Sequence, residues 1–130
     1  MRGTHTSSES WILETLYNAN RTDVETFRMF QTMRRYIYDN RDFFGVIDII
    51  KPGVIRFKPA NDVADDCFFS VSLFHRAIRF RKEKFGSPGV RFYSKAGKNA
   101  FSQIGYPCIS NNWEFWVDYV REHFNVDTNY

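Results

Sequence analysis

The segment from Asp62 to Phe85 constrains the fold of this chain more than any other stretch. Its centre, residues 67–74, reads Cys-Phe-Phe-Ser-Val-Ser-Leu-Phe. As a helix, the segment would carry acids at its N-terminal end and bases at its C-terminal end, as the helix dipole favours. The apolar face of that helix would hold Cys67, Val71, Phe74 and Ile78. Because residues 67–74 are poor helix formers and their side chains alternate between two sets, we instead predict strands over 67–81.

The rest of the second half carries further strand and turn signals. We predict strands at 90–95 and 100–104, bounded by turns at 86–89 and 96–99 that contain Gly, Pro or Asn. Ser110 or Asn111 can cap a final helix. The apolar side of that helix comprises Trp113, Trp116, Val117, Val120 and Phe124. Residues 62–125 are therefore predicted to form a four-stranded antiparallel sheet followed by a C-terminal helix that covers one sheet face.

The first half, residues 9–61, shows helix signals followed by a hairpin signal. A short helix is predicted to start at Ser10, and a second one follows because Thr22 and Glu25 have capping-box spacing. The second helix should run to about Asn40, with Arg28 and Arg35 outside. Its core face would hold Phe27, Phe30, Met33 or Arg34, and Ile37. The apolar runs 46–50 and 54–58 flank Lys51-Pro52-Gly53, which predicts a β-hairpin.

The size of the chain permits one core. With 130 residues, of which 43% are hydrophobic, we predict a single α+β domain over 1–130, with a flexible start at 1–8. No apolar run approaches the roughly 20 residues of a membrane helix, and the first residues lack the apolar stretch of a secretion signal. Cys67 and Cys108 cannot form a disulfide framework, so we expect an intracellular protein of the cytoplasm or nucleus.

Positive charge is concentrated in one stretch. The formal net charge of the whole chain is only +3, whereas residues 76–98 carry Glu83 as their one acid among the basic residues. These basic residues are Arg76, Arg79, Arg81, Lys82, Lys84, Arg91, Lys95 and Lys98. A block of this kind is either a solvated face or a binding site for a polyanion.

The predicted sheet would sort this stretch into two faces. Phe69, Val71, Leu73, Ile78, Phe80, Val90 and Phe92 would face the covering helix. The other face would mix basic residues, hydroxyls and rings with no acid, as platforms for single-stranded nucleic acid do. The candidate binding residues are Phe74, Arg76, Arg79, Arg81, Arg91, Tyr93, Lys95, Lys98 and Phe101. We therefore predict a non-enzymatic nucleic-acid-binding protein, associated with single-stranded DNA or RNA or with transcription.

A family resemblance points in the same direction. The run Ile109-Ser110-Asn111-Asn112-Trp113-Glu114-Phe115-Trp116 resembles the strand-to-helix junction of the positive-cofactor-four family of transcriptional coactivators, and Phe69-Ser70-Val71-Ser72 resembles its first core strand. The resemblance covers residues 67–124. It implies four strands followed by one helix, in a homodimer that binds single-stranded DNA on the sheet face. Gly89-Val90-Arg91, with Gly97-Lys98 and Ile104, is similar instead to the plant-type Apetala-two DNA-binding domain.

The same aromatic and arginine-rich surface also suits a protein interface. The alternative hypothesis is accordingly a small protein-interaction module, such as a viral or phage inhibitor of a host protein, which would dimerise through its N-terminal helices. Catalytic patterns are scarce. The histidines His5, His75 and His123 have no metal-ligand spacing, and Asp62, Asp65 and Asp66 lack the frame of a calcium loop. Asp48 and Lys51 alone do not make a nuclease site. We predict no catalytic residue, no metal, no cofactor and no membrane partner.

Overall fold

A computed structural model of the chain describes residues 5–38 and 43–124. The described residues form helices and contain no strand, which overturns the predicted α+β fold. The α-helices are α1 (His5–Tyr17), α2 (Asp23–Tyr38), α3 (Phe43–Ile49), α4 (Ala60–Ser72), α5 (His75–Phe85), α6 (Val90–Gln103), α7 (Pro107–Asn111) and α8 (Trp113–His123), with a short 3₁₀ helix at Ile55–Phe57. The chain divides into two compact units, residues 1–41 and 42–130.

The first unit is a helical hairpin. Helices α1 and α2 pack against each other across a short connection at 18–22, in which Asn20 adopts a left-handed backbone with φ 59°. The capping-box prediction for α2 is confirmed in part, because Oγ1 of Thr22 accepts a hydrogen bond from the Glu25 N–H at 3.2 Å. The Thr22 hydroxyl also donates to Oε2 of Glu25 at 2.9 Å. The predicted extension of α2 to Asn40, and the first part of the predicted flexible segment at 1–8, lie outside the described residues.

The predicted inner face of α2 is partly wrong. Met33 is buried as expected, but Phe27 and Ile37, both expected in the core, are exposed, and Met29 is buried in addition. Arg28, expected on the outside, is buried and donates from Nη1 to Oγ1 of Thr32 at 2.7 Å. Both faces of α2 carry apolar residues, so periodicity alone does not identify the inner one.

The second unit is organised around α4. All residues from Val63 to Ser72 are buried, so this helix is enclosed on every side. Enclosure explains why the strand prediction for 67–81 is wrong, because a short continuous apolar run suits a buried helix as well as a buried strand. Ser72 is also satisfied locally, since its hydroxyl donates to the Phe68 carbonyl oxygen at 2.7 Å. The helical alternative therefore holds, with a break between α4 and α5 at Leu73–Phe74.

Helices α5 and α6 replace the remaining predicted strands. The turn at 86–89 is confirmed as the connection between them, and Gly86 ends α5 in the left-handed region with φ 70°. Residues 90–95 and 100–104 belong largely to one helix, α6, which packs against α4. The predicted turn at 96–99 is wrong. Gly97 lies inside α6, where a Cβ atom would come within 3.0 Å of Cβ of Cys67 on α4, so glycine permits close helix packing.

The final helix is confirmed, but its predicted cap is wrong, because Asn112, not Ser110 or Asn111, precedes its first residue. Gly105 follows α6 with φ 94°, and Pro107 opens the short helix α7 before α8 begins. The apolar side of α8 is buried as predicted, through Trp113, Trp116, Val117, Val120 and the following residue Phe124. The ring of Phe68 meets the Trp113 indole edge-on, with centroids 5.6 Å apart, which fixes α8 against α4.

The predicted β-hairpin at 46–58 is also wrong. Its first run lies mainly in α3 and its second run contains the 3₁₀ helix, while residues 51–54 form the connection between them. Pro59 precedes the first residue of α4 in an extended conformation. None of the helices in the described ranges has the length and apolar character needed to cross a membrane.

Candidate functional site

The predicted nucleic-acid platform does not form. Phe74, Tyr93 and Phe101 were assigned to stack on bases, but all three are buried in the second unit. The Phe101 ring packs near the Trp113 indole, with centroids 6.1 Å apart. Burial raises the pKa of the Tyr93 hydroxyl, in keeping with its position in the interior. Because a ring must be exposed to stack on a base, these residues cannot serve the predicted role.

The basic candidates lie on two different helices. Arg76 and Arg79 are exposed on α5, and Arg91 and Lys95 are exposed on α6. Lys98 is half-buried and forms an ion pair with Glu114 of α8, Nζ to Oε2 at 3.2 Å. These basic residues do not lie on the flat sheet face that the sequence predicts.

Arg81, like Lys98, is half-buried. It lines a small cavity of about 90 Å³ together with Ile78 and Tyr93. Arg81 therefore faces part of the interior of the second unit and does not extend a basic outer surface.

An aromatic pair lies on the outer side of α5. Phe80 is 57% exposed and Phe85 is 64% exposed, although the sequence assigns Phe80 to the core. Their ring centroids are 6.4 Å apart in an edge-on arrangement, and Nζ of Lys84 lies 5.8 Å from the Phe80 centroid. This pair is an apolar patch within an otherwise basic helix surface.

A groove lies on the surface of the first unit. It has a volume of about 810 Å³ and is lined by α1 and the first turns of α2. On α1, Ser10, Leu13, Glu14 and Tyr17 follow the i, i+3, i+4, i+7 spacing of one helix face. The α2 side is formed by Asp23, Val24, Thr26 and Phe27. We call this feature the α1–α2 groove.

Exposed apolar side chains dominate the α1–α2 groove. Tyr17 is 64% exposed and Phe27 is 61% exposed, and Leu13 and Val24 are exposed as well. The Phe27 ring stacks beside Phe30 with centroids 6.4 Å apart, which holds it in place on α2. Contiguous exposed apolar surface of this kind marks interaction sites in soluble proteins.

The charged residues of the groove are acidic. Glu14 and Asp23 are exposed and contribute to its lining, in which the described residues include no lysine or arginine. A ligand that fits the groove must therefore combine apolar side chains with positive charge. Sequence reasoning missed this site because it assigned Phe27 to the core. The signal that could have found it is the run Trp11-Ile12-Leu13, which puts apolar residues on opposite faces of α1.

The described residues offer little for catalysis. Cys67 is buried, and its thiol pKa is raised by burial and, to a smaller degree, by the Asp66 carboxylate. A buried thiol held in its protonated form is a poor nucleophile. Within the described ranges, no cluster of three or more histidine, cysteine or acidic side chains is arranged to hold a metal ion.

Comparison with known proteins gives no relative. No protein-family model, curated protein or solved structure matches this chain. The α1–α2 groove and the aromatic pair of α5 must therefore be interpreted from their own chemistry.

Proposed function

We propose that this protein is a protein-interaction module whose α1–α2 groove binds an amphipathic helix of a partner protein. The observation that carries this proposal is that apolar side chains of both helices stay exposed and line one groove. Leu13 and Tyr17 of α1 are exposed there beside Val24 and Phe27 of α2. Contiguous exposed apolar surface of this kind is suited to a partner.

The shape of the groove favours a helical ligand. Two packed helices leave a furrow between them, and an amphipathic helix can place side chains of the i, i+3, i+4, i+7 pattern into such a furrow. Tyr17 and Phe27 stand on the two sides of the groove, one on each helix. Aromatic side chains are the usual anchors of binding energy at protein interfaces, because they bury large areas with few rotatable bonds.

This proposal takes up the second hypothesis from the sequence and transfers it to another surface. The first hypothesis required exposed rings on a basic sheet face, and that face is absent from the described residues. The groove instead requires a partner helix with an apolar face flanked by lysine or arginine, because Glu14 and Asp23 are its charged lining residues.

The test is fluorescence anisotropy with two labelled model peptides. Both form an amphipathic helix with leucines at i, i+3, i+4 and i+7, and one carries lysines beside the leucines where the other carries glutamates. We expect the lysine peptide to bind at least about tenfold more tightly, a difference equal to about 1.4 kcal/mol. The binding of the lysine peptide should weaken with added salt, since exposed charges are screened.

A matched pair of variants locates the site. Val24 and Val54 are both exposed, but only Val24 lines the groove. Val24→Lys should weaken binding of the lysine peptide about tenfold or more, because it puts positive charge into the groove. Val54→Lys, the same substitution in the second unit, should leave binding unchanged. Failure of the lysine peptide to bind, or equal binding by the Val24→Lys variant, would overturn the proposal.

A further inference from the structure

We infer that helix α5 of a second copy of this chain occupies the α1–α2 groove, so that the protein associates with itself head to tail. The inference rests on the proposed function, because it names a partner for the same groove. It begins from two exposed features of one chain that match in both polarity and charge, the α1–α2 groove and the outer surface of α5.

Helix α5 has the chemistry that the groove requires. Arg76, Phe80 and Lys84 are spaced four residues apart and form one stripe along the helix, while Ile78 is buried on another side. Phe80 thus stands between two basic residues on the outward face. Its contact with Phe85 brings two exposed rings together at the C-terminal end of α5.

The charge of α5 is opposite to that of the groove. Arg76, Arg79, Lys82 and Lys84 are exposed on α5, whose sequence contains Glu83 as its one acid. The groove offers Glu14 and Asp23 as its charged lining residues. The aromatic pair would pack on the apolar side chains of the groove while the lysines approach the two carboxylates. Burial of both exposed patches in one contact removes apolar surface from water on both copies.

The contact is heterologous, since one copy contributes the groove and the other contributes α5. Each copy carries both surfaces, so the copy that contributes its groove still has a free α5, and the copy that contributes α5 still has a free groove. This property provides a sharp test, because a variant that lacks only the groove and a variant that lacks only the aromatic patch can still complement each other.

The experiment measures molar mass by light scattering from about 1 µM to about 1 mM, a range that covers weak association. We expect the wild-type mass to rise with concentration and to fall when salt is added. Val24→Lys, in the groove, and Phe80→Ser, on α5, should each remain monomeric. The controls Val54→Lys and Phe57→Ser change exposed residues outside both surfaces and should associate like the wild type.

Mixing the two variants distinguishes this contact from other modes of self-association. An equimolar mixture of the Val24→Lys and Phe80→Ser variants should form a dimer, because one intact groove meets one intact α5. A wild-type chain that stays monomeric throughout, or a mixture that stays monomeric, would overturn the inference.

The lysine peptide separates failure of this inference from failure of the proposed function. Phe80→Ser leaves the groove intact, so this variant should bind the peptide as the wild type does. Peptide binding without self-association would overturn the second-copy contact and leave the groove as a helix-binding site. If the protein neither binds the peptide nor associates with itself, the proposed function and the second-copy contact are both overturned.

Discussion

The indole ring of Trp113 occupies the space that a side chain at position 97 would fill. A Cβ atom at Gly97 would lie 2.9 Å from Cζ3 of Trp113. The ring is almost fully buried and also contacts Phe68 and Phe101. The contact among α4, α6 and α8 therefore depends on the absence of a side chain in the middle of α6.

Gly97→Ala should destabilise the second unit. Alanine favours a helix interior over glycine by about 1 kcal/mol, but overpacking a filled core costs up to about 3 kcal/mol, so with the Trp113 ring in the way we expect a net loss of about 2 kcal/mol in the free energy of unfolding. Urea denaturation measures it. Gly53→Ala is the matched control, because a Cβ atom there meets nothing within 4 Å. A Gly97→Ala protein as stable as the wild type would contradict the packing described here.

The cap of α2 gives a second prediction. Thr22 both accepts from the Glu25 N–H and donates to the Glu25 carboxylate. Thr22→Ala should lower the free energy of unfolding by about 1 kcal/mol, as loss of an N-terminal cap usually does. Thr22→Ser keeps the hydroxyl and should retain most of the stability. Thermal denaturation followed by circular dichroism distinguishes them, and equal losses from both substitutions would speak against the cap.

Arg121 of α8 holds the C-terminal end of α4. It donates from Nε to the Ser72 carbonyl oxygen at 3.1 Å and from Nη2 to that of Val71 at 2.8 Å. Arg121→Met should lower the free energy of unfolding by about 1.5 to 3 kcal/mol, because the substitution removes hydrogen bonds from a charged donor. Lys95→Met, at an exposed position of α6, should change stability little. If chemical denaturation shows the same change in stability for Arg121→Met and Lys95→Met, the Arg121 contacts do not stabilise the fold.

We predict that the folded protein loses stability in mild acid because of His75. Burial lowers its pKa below the ordinary value of 6.5, and the positive charges of Arg121, Arg79 and Arg76 lower it further. The unfolded chain therefore binds a proton more readily than the folded one. The contribution of His75 to stability is complete above pH 6.5 and is lost as the pH falls through the folded-state pKa.

An NMR titration of the His75 ring protons measures this pKa directly. The midpoint should lie below 6.5 in the folded protein. His75→Gln should flatten the dependence of the unfolding free energy on pH in this window. A folded-state midpoint at or above 6.5 would show that the arginines and burial do not act on this group as described.

Sequence reasoning recovered the elements that carry local signals. Thr22 and Glu25 indicate the start of α2, Gly86 lies in the turn before α6, and the apolar spacing of Trp113 to Val120 predicts α8. These signals act within a few residues, so one sequence is enough to interpret them. The N-terminal helices and the last helix were predictable for this reason.

The helices α4 to α6 and the candidate surface could not be predicted, because they depend on tertiary contacts that the sequence does not show. Helix α4 is enclosed on every side from Val63 to Ser72, so its apolar residues are not confined to the face of Cys67 and Val71. Glycine is common in turns, yet Gly97 lies inside α6, where it allows Cys67 and Trp113 to pack closely against the helix. The predicted binding surface is wrong because it depended on the predicted fold. Phe80, predicted in the core, is exposed, whereas the predicted surface residues Phe74, Tyr93 and Phe101 are buried.

The most direct test of the α1–α2 groove is residue-by-residue NMR mapping of the lysine peptide on the isotope-labelled protein. The account predicts that amide shifts change first and most at the groove residues of both helices, including Leu13, Tyr17, Val24 and Phe27. Amides of α6 and α8 should change little. Shift changes centred on any other surface, or none at peptide saturation, would contradict the central claim that this groove is a helix-binding site.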